Sequence, residues 1–321
     1  MKKIAVLADY LEPSHHALID STAARCGFAV DYYPDGRVPA ELAGTYEVVH
    51  GMPKPGDLKA FTGMKWFCGS FAGVDAYLDD ALYPSPEVML SNSSGTYGVT
   101  IAEHLIMVTL MLLRHAPAYL HHADAHRWGP VMPMRSIIGS TITVLGTGDI
   151  GTEFARRAKA MGAKAIRGVR RTKKAADPAF DGVFTHEELD SLLPDTDILV
   201  MALPSTADTV GILSRDRIAL LPETAYVVNV GRGTAIDQSA LVEALNAGKL
   251  AGAALDVFEK EPIPAGDPVW DAKNLLITPH ISGQMSLGYT RDKNVALFCE
   301  DLENYAAGRP LKRYVDRKIG Y

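Results

Sequence analysis

Residues 141–151 read Thr-Ile-Thr-Val-Leu-Gly-Thr-Gly-Asp-Ile-Gly, an apolar run that enters the spacing G-x-G-x-x-G. A helix-like stretch, Thr152 to Met161, follows. Strand, tight turn and helix in this order make the phosphate-binding half of a dinucleotide-binding βαβ unit. Gly146 permits the turn, Gly148 lets backbone approach a pyrophosphate, and Gly151 lets helix and strand pack closely. The diphosphate is expected on the free N–H groups at the positive end of the helix, across Gly146, Thr147, Gly148, Asp149, Ile150 and Gly151.

Three ionisable side chains lie downstream: Arg232 in Val-Asn-Val-Gly-Arg-Gly, Glu261 in Leu-Asp-Val-Phe-Glu-Lys-Glu-Pro, and His280 in Ile-Thr-Pro-His-Ile-Ser-Gly. A histidine exchanges protons near neutral pH, a carboxylate beside it fixes its tautomer, and an arginine grips a carboxylate through two parallel hydrogen bonds. Singly, each has an ordinary explanation as a loop histidine, a turn carboxylate and a surface arginine. Each, however, follows a β-like run, which puts all three near the carboxyl edge of a parallel sheet, where open α/β folds bind ligands.

The elements that must position them are legible as alternating runs. Before residue 100, β-like segments recur at Ile4–Leu7, Phe28–Tyr32, Val48–His50, Lys65–Cys68 and Val88–Leu90. After residue 140 they recur at Ile142–Leu145, Ala165–Val169, Ile198–Ala202, Tyr226–Val230, Ala251–Leu255 and Leu275–Thr278. Asp237 can cap a helix over Gln238 to Ala247, which Gly248 ends. This is an α/β chain with two doubly wound parallel sheets, Rossmann-like and flavodoxin-like, and a cleft expected between the lobes. The fingerprint begins after 140 residues, so another domain precedes it and is expected to hold the substrate. Leu287 to Ala307 is expected to cross back to the first lobe. The expected domains are therefore 1–99 plus 286–321 for substrate and 100–285 for the dinucleotide.

Composition narrows the partners. A chain of 321 residues suits two domains, and 47% hydrophobic with 22% charged residues is ordinary for a soluble protein. A net charge of −6 argues against nucleic acid. Cys26, Cys68 and Cys299 are scattered and odd in number, which points to a reducing compartment, the cytoplasm by default, and away from a zinc site. The apolar run Ile4–Ala8 stops at Asp9, too short for a signal peptide. Ile101–Leu113 contains Glu103 and His104 and reads as a buried helix, not a membrane span.

Taken together, these segments resemble the D-isomer-specific 2-hydroxyacid dehydrogenases over nearly the whole chain. Ser70-Phe71-Ala72-Gly73-Val74-Asp75 resembles that family's first-domain substrate loop, and Ala102-Glu103-His104 the start of its interdomain helix. Ala202-Leu203-Pro204 through Thr209 resembles its cofactor-bordering loop, and Gly308-Arg309-Pro310-Leu311 with Val315-Asp316 its tail. The resemblance implies an oxidoreductase that moves a hydride between a nicotinamide and C2 of a 2-oxo acid or D-2-hydroxy acid. It implies His280 as acid/base, Glu261 as its partner and Arg232 as the substrate clamp, with Ala72, Gly73, Arg232 and His280 touching substrate. It extends the cofactor site to Leu203, Pro204, Thr209, Val230, Gly231, Asp256, His280 and Gly283. For Asp256 two readings stay open, the carboxamide end of the nicotinamide or a structural cap. A homodimer built around Ile101–Arg114 is implied as well. A glyoxylate/hydroxypyruvate reductase-like branch suits the pattern. Formate dehydrogenases pair the histidine with glutamine where this chain has Glu261, and phosphite oxidation uses a lysine where it has Ala72. A nucleotide-sensing corepressor of the same fold is the rival from another class.

An NAD site places an acid about twenty residues past the glycines to accept from the ribose 2′-hydroxyl. Here the strand ends Val169-Arg170-Arg171-Thr172-Lys173-Lys174, with no acid before Asp177. Arg170 and Arg171 can pair with a 2′-phosphate, so NADP is favoured and NAD stays an alternative. His121, His122 and His126 with Asp124 have helical spacing but read as a solvated face, so no metal is expected. Arg291 could reach a substrate carboxylate, though an ion pair near Asp292 or Glu300 is the safer expectation. The substrate side chain would be read by His50, Met52, Phe71 and Tyr97 or Met285, with Phe71 and Met52 hinting at an apolar pocket.

Overall fold

The computed structural model describes residues 1–173 and 177–321, so Lys174 of the basic strand end lies outside the described residues. Two units result: Met1–Tyr97 with Gln284–Tyr321, and Gly98–Gly283.

The first unit opens with β1 (Lys2–Leu7), α1 (Pro13–Arg25), β2 (Phe28–Tyr32), the single turn α2 (Ala40–Ala43), β3 (Val48–Gly51), β4 (Trp66–Gly69) and β5 (Met89–Ser91). Its parallel sheet has the order β2-β1-β3-β4-β5, the flavodoxin-like arrangement. Side chains alternate across a strand, so each strand feeds two cores. Ile4, Val6, Val48 and Trp66 face one cluster with Ile19 of α1, whereas Ala5, Leu7, Val49 and Phe67 face another with Tyr46 and Leu58. Both faces are covered, which explains why the strands read as continuous apolar runs.

The second unit begins with α3 (Gly98–Leu113) and α4 (Ala116–Asp124), bent by 65° where His115 takes a left-handed backbone. Then come β6 (Thr141–Leu145), α5 (Asp149–Ala160), β7 (Ala165–Val169), β8 (Gly182–Phe184), α6 (Leu189–Leu192), β9 (Ile198–Met201), α7 (Arg215–Leu220), β10 (Tyr226–Asn229), α8 (Gln238–Asn246), β11 (Gly252–Leu255) and β12 (Leu275–Ile277). The parallel order β12-β11-β10-β9-β6-β7-β8 is a Rossmann-type sheet whose strand order reverses between β6 and β9. Asp237 caps α8 by accepting from Ala240 N at 2.9 Å, as its position predicts. The sequence reading lacks β8, a three-residue edge strand whose residues are all half-buried.

The last helix, α9 (Gly288–Ala306), belongs to the first unit, where Val295, Phe298 and Leu302 join the core that also holds Ile19. No single helix among the described residues is long and apolar enough to cross a membrane.

Candidate active site

Every strand of the second sheet runs the same way, so the loops after β6, β9, β10, β11 and β12 emerge along one edge. The glycine fingerprint lies after β6, Leu203 and Pro204 after β9, Arg232 after β10, Asp256 and Glu261 after β11, and His280 after β12. The edge brings the phosphate cradle and the ionisable groups into one row, at the switch point of the sheet.

The cradle suits a diphosphate. Gly146 sits at φ +101°, and a Cβ built on Gly151 would lie 1.9 Å from the Gly146 carbonyl oxygen. Only glycine lets α5 start this close to β6. Gly148 faces open space and caps α5 without a side chain, so it brings no competing group to the N–H groups of the first turn. The Thr147 hydroxyl is buried and lacks a hydrogen-bond partner, a polar atom that a bound phosphate would satisfy. Asp149 points elsewhere. Its Oδ2 accepts from Gly98 N at 2.7 Å and caps α3, which keeps a negative charge out of the cradle.

At the end of β7, Arg170 is half-buried and Arg171 exposed, and Arg170 N donates to Phe184 O at 3.0 Å. Asp177, the first acid after β7, is held by the Arg156 guanidinium, and that ion pair keeps its carboxyl below the ordinary range. Lys173 pairs with Glu188 at 3.2 Å.

The loops after β9 and β10 touch. A Cβ on Gly231 would meet Leu203 backbone at 2.6 Å, and Val230 and Leu203 are buried. Thr209 spends its hydroxyl inside its own loop, donating to Pro204 O at 2.6 Å and accepting from Thr206 N at 2.8 Å. Asn229, fully buried, organises the next loop: its Oδ1 accepts from Gly231 N and its Nδ2 donates to Arg232 O, both at 2.9 Å. Sequence reasoning passed over Asn229, although an asparagine at a strand end before glycine is a loop-shaping signal. Arg232 Nη1 donates to Gly231 O at 2.7 Å. Gly233 packs flat against the Phe258 carbonyl, so the arginine segment abuts the one leading to Glu261.

Glu261 accepts from Phe258 N through Oε1 at 2.9 Å and faces His280 Nδ1 through Oε2 at 2.7 Å. His280 itself has φ +52°, a left-handed backbone that costs a residue with a Cβ about 1 kcal/mol or more. Asp256 holds that turn. Its carbonyl accepts from His280 N at 2.8 Å, Oδ1 from Thr278 Oγ1 at 2.6 Å and Ile281 N at 3.0 Å, and Oδ2 from Ser282 N at 3.0 Å. Burial pushes the Asp256 carboxyl up, but hydrogen bonds from Ser282, Thr278 and Ile281 outweigh it and hold the group below the ordinary range. The Asp256 carboxylate thus organises the turn over 278–282. Gly283 ends this loop, half-buried.

Several expected residues lie in the first unit. Ala72 and Gly73 occupy the loop after β4, where Asn92 Nδ2 donates to Ala72 O at 2.7 Å. Phe71 stacks on Tyr77 at 4.5 Å, Tyr97 donates to Ser70 O at 2.6 Å, and His50 is sealed against Phe298 at 4.0 Å. His50 and Tyr97 are buried, while Met52 is exposed and Met285 half-buried. Arg291 pairs with Glu12 at 2.5 Å, not with the neighbourhoods of Asp292 or Glu300. Among the described residues no group of His, Cys, Asp or Glu is placed to hold a metal.

The family model for the D-isomer specific 2-hydroxyacid dehydrogenase NAD binding domain matches residues 106–282. Glyoxylate/hydroxypyruvate reductase A of Escherichia fergusonii is 32% identical over 257 residues, 78% of this chain and 80% of that protein. The crystal structure of a D-isomer specific 2-hydroxyacid dehydrogenase family protein from Aeromonas salmonicida superposes with a TM-score of 0.84 at 30% identity, covering 98% of this chain and 99% of that one. An NADPH-dependent glyoxylate/hydroxypyruvate reductase from Sinorhizobium meliloti, solved with NADP and sulfate, superposes with a TM-score of 0.83 at 27% identity, covering all of both chains.

Proposed function

The chain belongs to the D-isomer-specific 2-hydroxyacid dehydrogenase family, and from that premise we propose how its own residues carry the reaction. It is a nicotinamide-dependent oxidoreductase acting between a 2-oxo acid and a 2-hydroxy acid. The cofactor, when bound, supplies or accepts the hydride; the protein positions and polarises. The α5 N-terminus with Thr147 takes the diphosphate, and Arg170 with Arg171 takes a 2′-phosphate, which favours NADP over NAD. Arg232 grips the substrate carboxylate. His280 Nε2 gives a proton to the carbonyl oxygen during reduction and takes it back during oxidation. Ala72 and Gly73 are proposed as further substrate contacts.

One observation carries this reading: the His280–Glu261 pair at 2.7 Å, on the strand edge that also holds the phosphate cradle. An ionised Glu261 makes Nδ1 the protonated nitrogen and leaves Nε2 for the substrate. Glyoxylate and hydroxypyruvate, the substrates named for similar reductases, are the proposed class. The test is loss of reduced-nicotinamide absorbance with NADPH and NADH against a panel of 2-oxo acids. Reduction of glyoxylate or hydroxypyruvate, faster with NADPH, is expected. Cofactor binding with no acid reduced would return the sensor reading.

A homodimer is proposed on the second unit. Leu120, Trp128, Met132 and Ile138 are exposed apolar side chains of this unit, the kind that a second copy covers. Sedimentation at micromolar concentration tests it. The free thiols Cys26, Cys68 and Cys299 suit a reducing, cytoplasmic setting.

A further inference from the structure

His104 lies on α3, far in sequence from the loops of the active edge, yet its Nε2 approaches Thr278 Oγ1 at 3.3 Å. Thr278 Oγ1 in turn donates to Asp256 Oδ1 at 2.6 Å. With its one hydroxyl proton committed to the carboxylate, Thr278 can only accept from His104, so the imidazole carries its proton on Nε2. The chain therefore runs in one direction, from imidazole N–H to hydroxyl to carboxylate. It ends on the carboxylate whose residue gathers the N–H groups of His280, Ile281 and Ser282. Burial pushes the His104 ring below the ordinary histidine range, opposed by the charge of Asp256.

We propose that His104 and Thr278 are positioning residues that act through Asp256 to hold the left-handed turn presenting the His280 imidazole. The two backbone hydrogen bonds from Ile281 and Ser282 leave the carboxylate room to swing; the Thr278 hydroxyl pins Oδ1 from the side, and His104 pins the hydroxyl. A turn released from this grip leaves left-handed space at His280, and the ring then leaves the geometry that the Glu261 pair defines. This inference rests on the reading of His280 as the proton donor.

The test compares kcat, KM for glyoxylate and NADPH affinity across Thr278→Val, Thr278→Ser, His104→Ala and the Thr278→Val/His104→Ala double variant. Thr278→Val, which keeps the shape and removes the hydroxyl, is expected to lower kcat by about tenfold or more, because small misplacements of a reacting group are costly. NADPH affinity should stay within about twofold of the parent. Thr278→Ser should restore most of kcat. His104→Ala should lower kcat less, and the double variant should be no worse than Thr278→Val, since one residue works through the other. Parent-like kcat in Thr278→Val overturns the proposal, and so do losses that multiply in the double variant. If Thr278→Val does not fold, parent-like kcat in His104→Ala overturns it alone. His280→Ala run alongside separates the two readings: full activity there removes the proton-donor assignment itself, whereas an inactive His280→Ala beside an intact Thr278→Val removes only this inference.

Discussion

His280 Nδ1 and Glu261 Oε2 lie 2.7 Å apart although they sit on loops after different strands, β12 and β11. The carboxylate is itself tethered, since its other oxygen accepts the Phe258 N–H at 2.9 Å. Both partners are substantially solvent-exposed, with 52% of the His280 side chain and 35% of Glu261 accessible. An ion pair this open contributes between roughly 0 and 1 kcal/mol to stability. Its consequence is orientation of the ring.

Removing either partner should therefore separate activity from stability. His280→Ala is expected to lower turnover by about a hundredfold or more, the usual loss for a positioned acid. Glu261→Gln keeps an acceptor for Nδ1 but replaces the carboxylate that orients the ring with a neutral amide, and should cost about tenfold or more. Denaturant midpoints should barely move in both. Turnover near the parent level in His280→Ala would refute the assignment of the acid.

Arg170 and Arg171 follow β7, and the next acid along the chain, Asp177, is paired with Arg156. Replacing both by alanine should weaken NADPH by about tenfold or more while leaving NADH within about twofold, since a charge-assisted bond to phosphate is worth about 1.5–3 kcal/mol. Fluorescence titration with each cofactor measures this. Equal losses for NADPH and NADH would show that the arginines do not read the 2′-phosphate.

The strands and the fingerprint were legible because burial on both faces leaves continuous apolar runs, and close backbone approach leaves glycines. The positions of Arg232, Glu261 and His280 along one edge followed from parallel strands alone. What the sequence hid depends on loop conformation and on partners far along the chain. The left-handed turn at His280 gathers the N–H groups of Ile281 and Ser282 onto Asp256, and no local pattern announces that turn. Arg291 meets Glu12, 279 positions away, a pairing that only the folded first unit creates. Asp149 reads as part of the phosphate loop, yet its side chain caps α3. The strand β8 escaped notice because three half-buried residues carry no alternation.

Gly151→Ala should damage the second unit and its cofactor site together. The added methyl would sit 1.9 Å from the Gly146 carbonyl oxygen and 3.1 Å from Val144 Cγ1, and the Gly146 backbone cannot swing aside as a side chain would. Overpacking of this kind costs about 1–3 kcal/mol. We expect a lower melting temperature and NADPH binding weakened by about tenfold or more. A parent-like melting temperature with intact binding would show that α5 can withdraw from β6 without harm.

His50 supplies a pH signature for the first unit. It is fully buried, stacked on Phe298 at 4.0 Å, with Nδ1 against Cys68 O at 3.2 Å and Nε2 without a partner. Burial pushes its ring down to about 4, against the opposing Cys68 hydrogen bond. Above the unfolded-state value near 6.5 the ring is neutral in both states, so its contribution to stability is fully present there. Between about 6.5 and 4 the unfolded chain binds a proton that the folded chain refuses, so stability falls as pH falls. At 1.36 kcal/mol per unit that window is worth about 3 kcal/mol. His50→Phe keeps a ring against Phe298 and cannot titrate, so its urea midpoint should decline less than the parent's from pH 7 to pH 4. Parallel declines would mean that the His50 ring is protonated in the folded protein, and that the unpartnered Nε2 finds solvent.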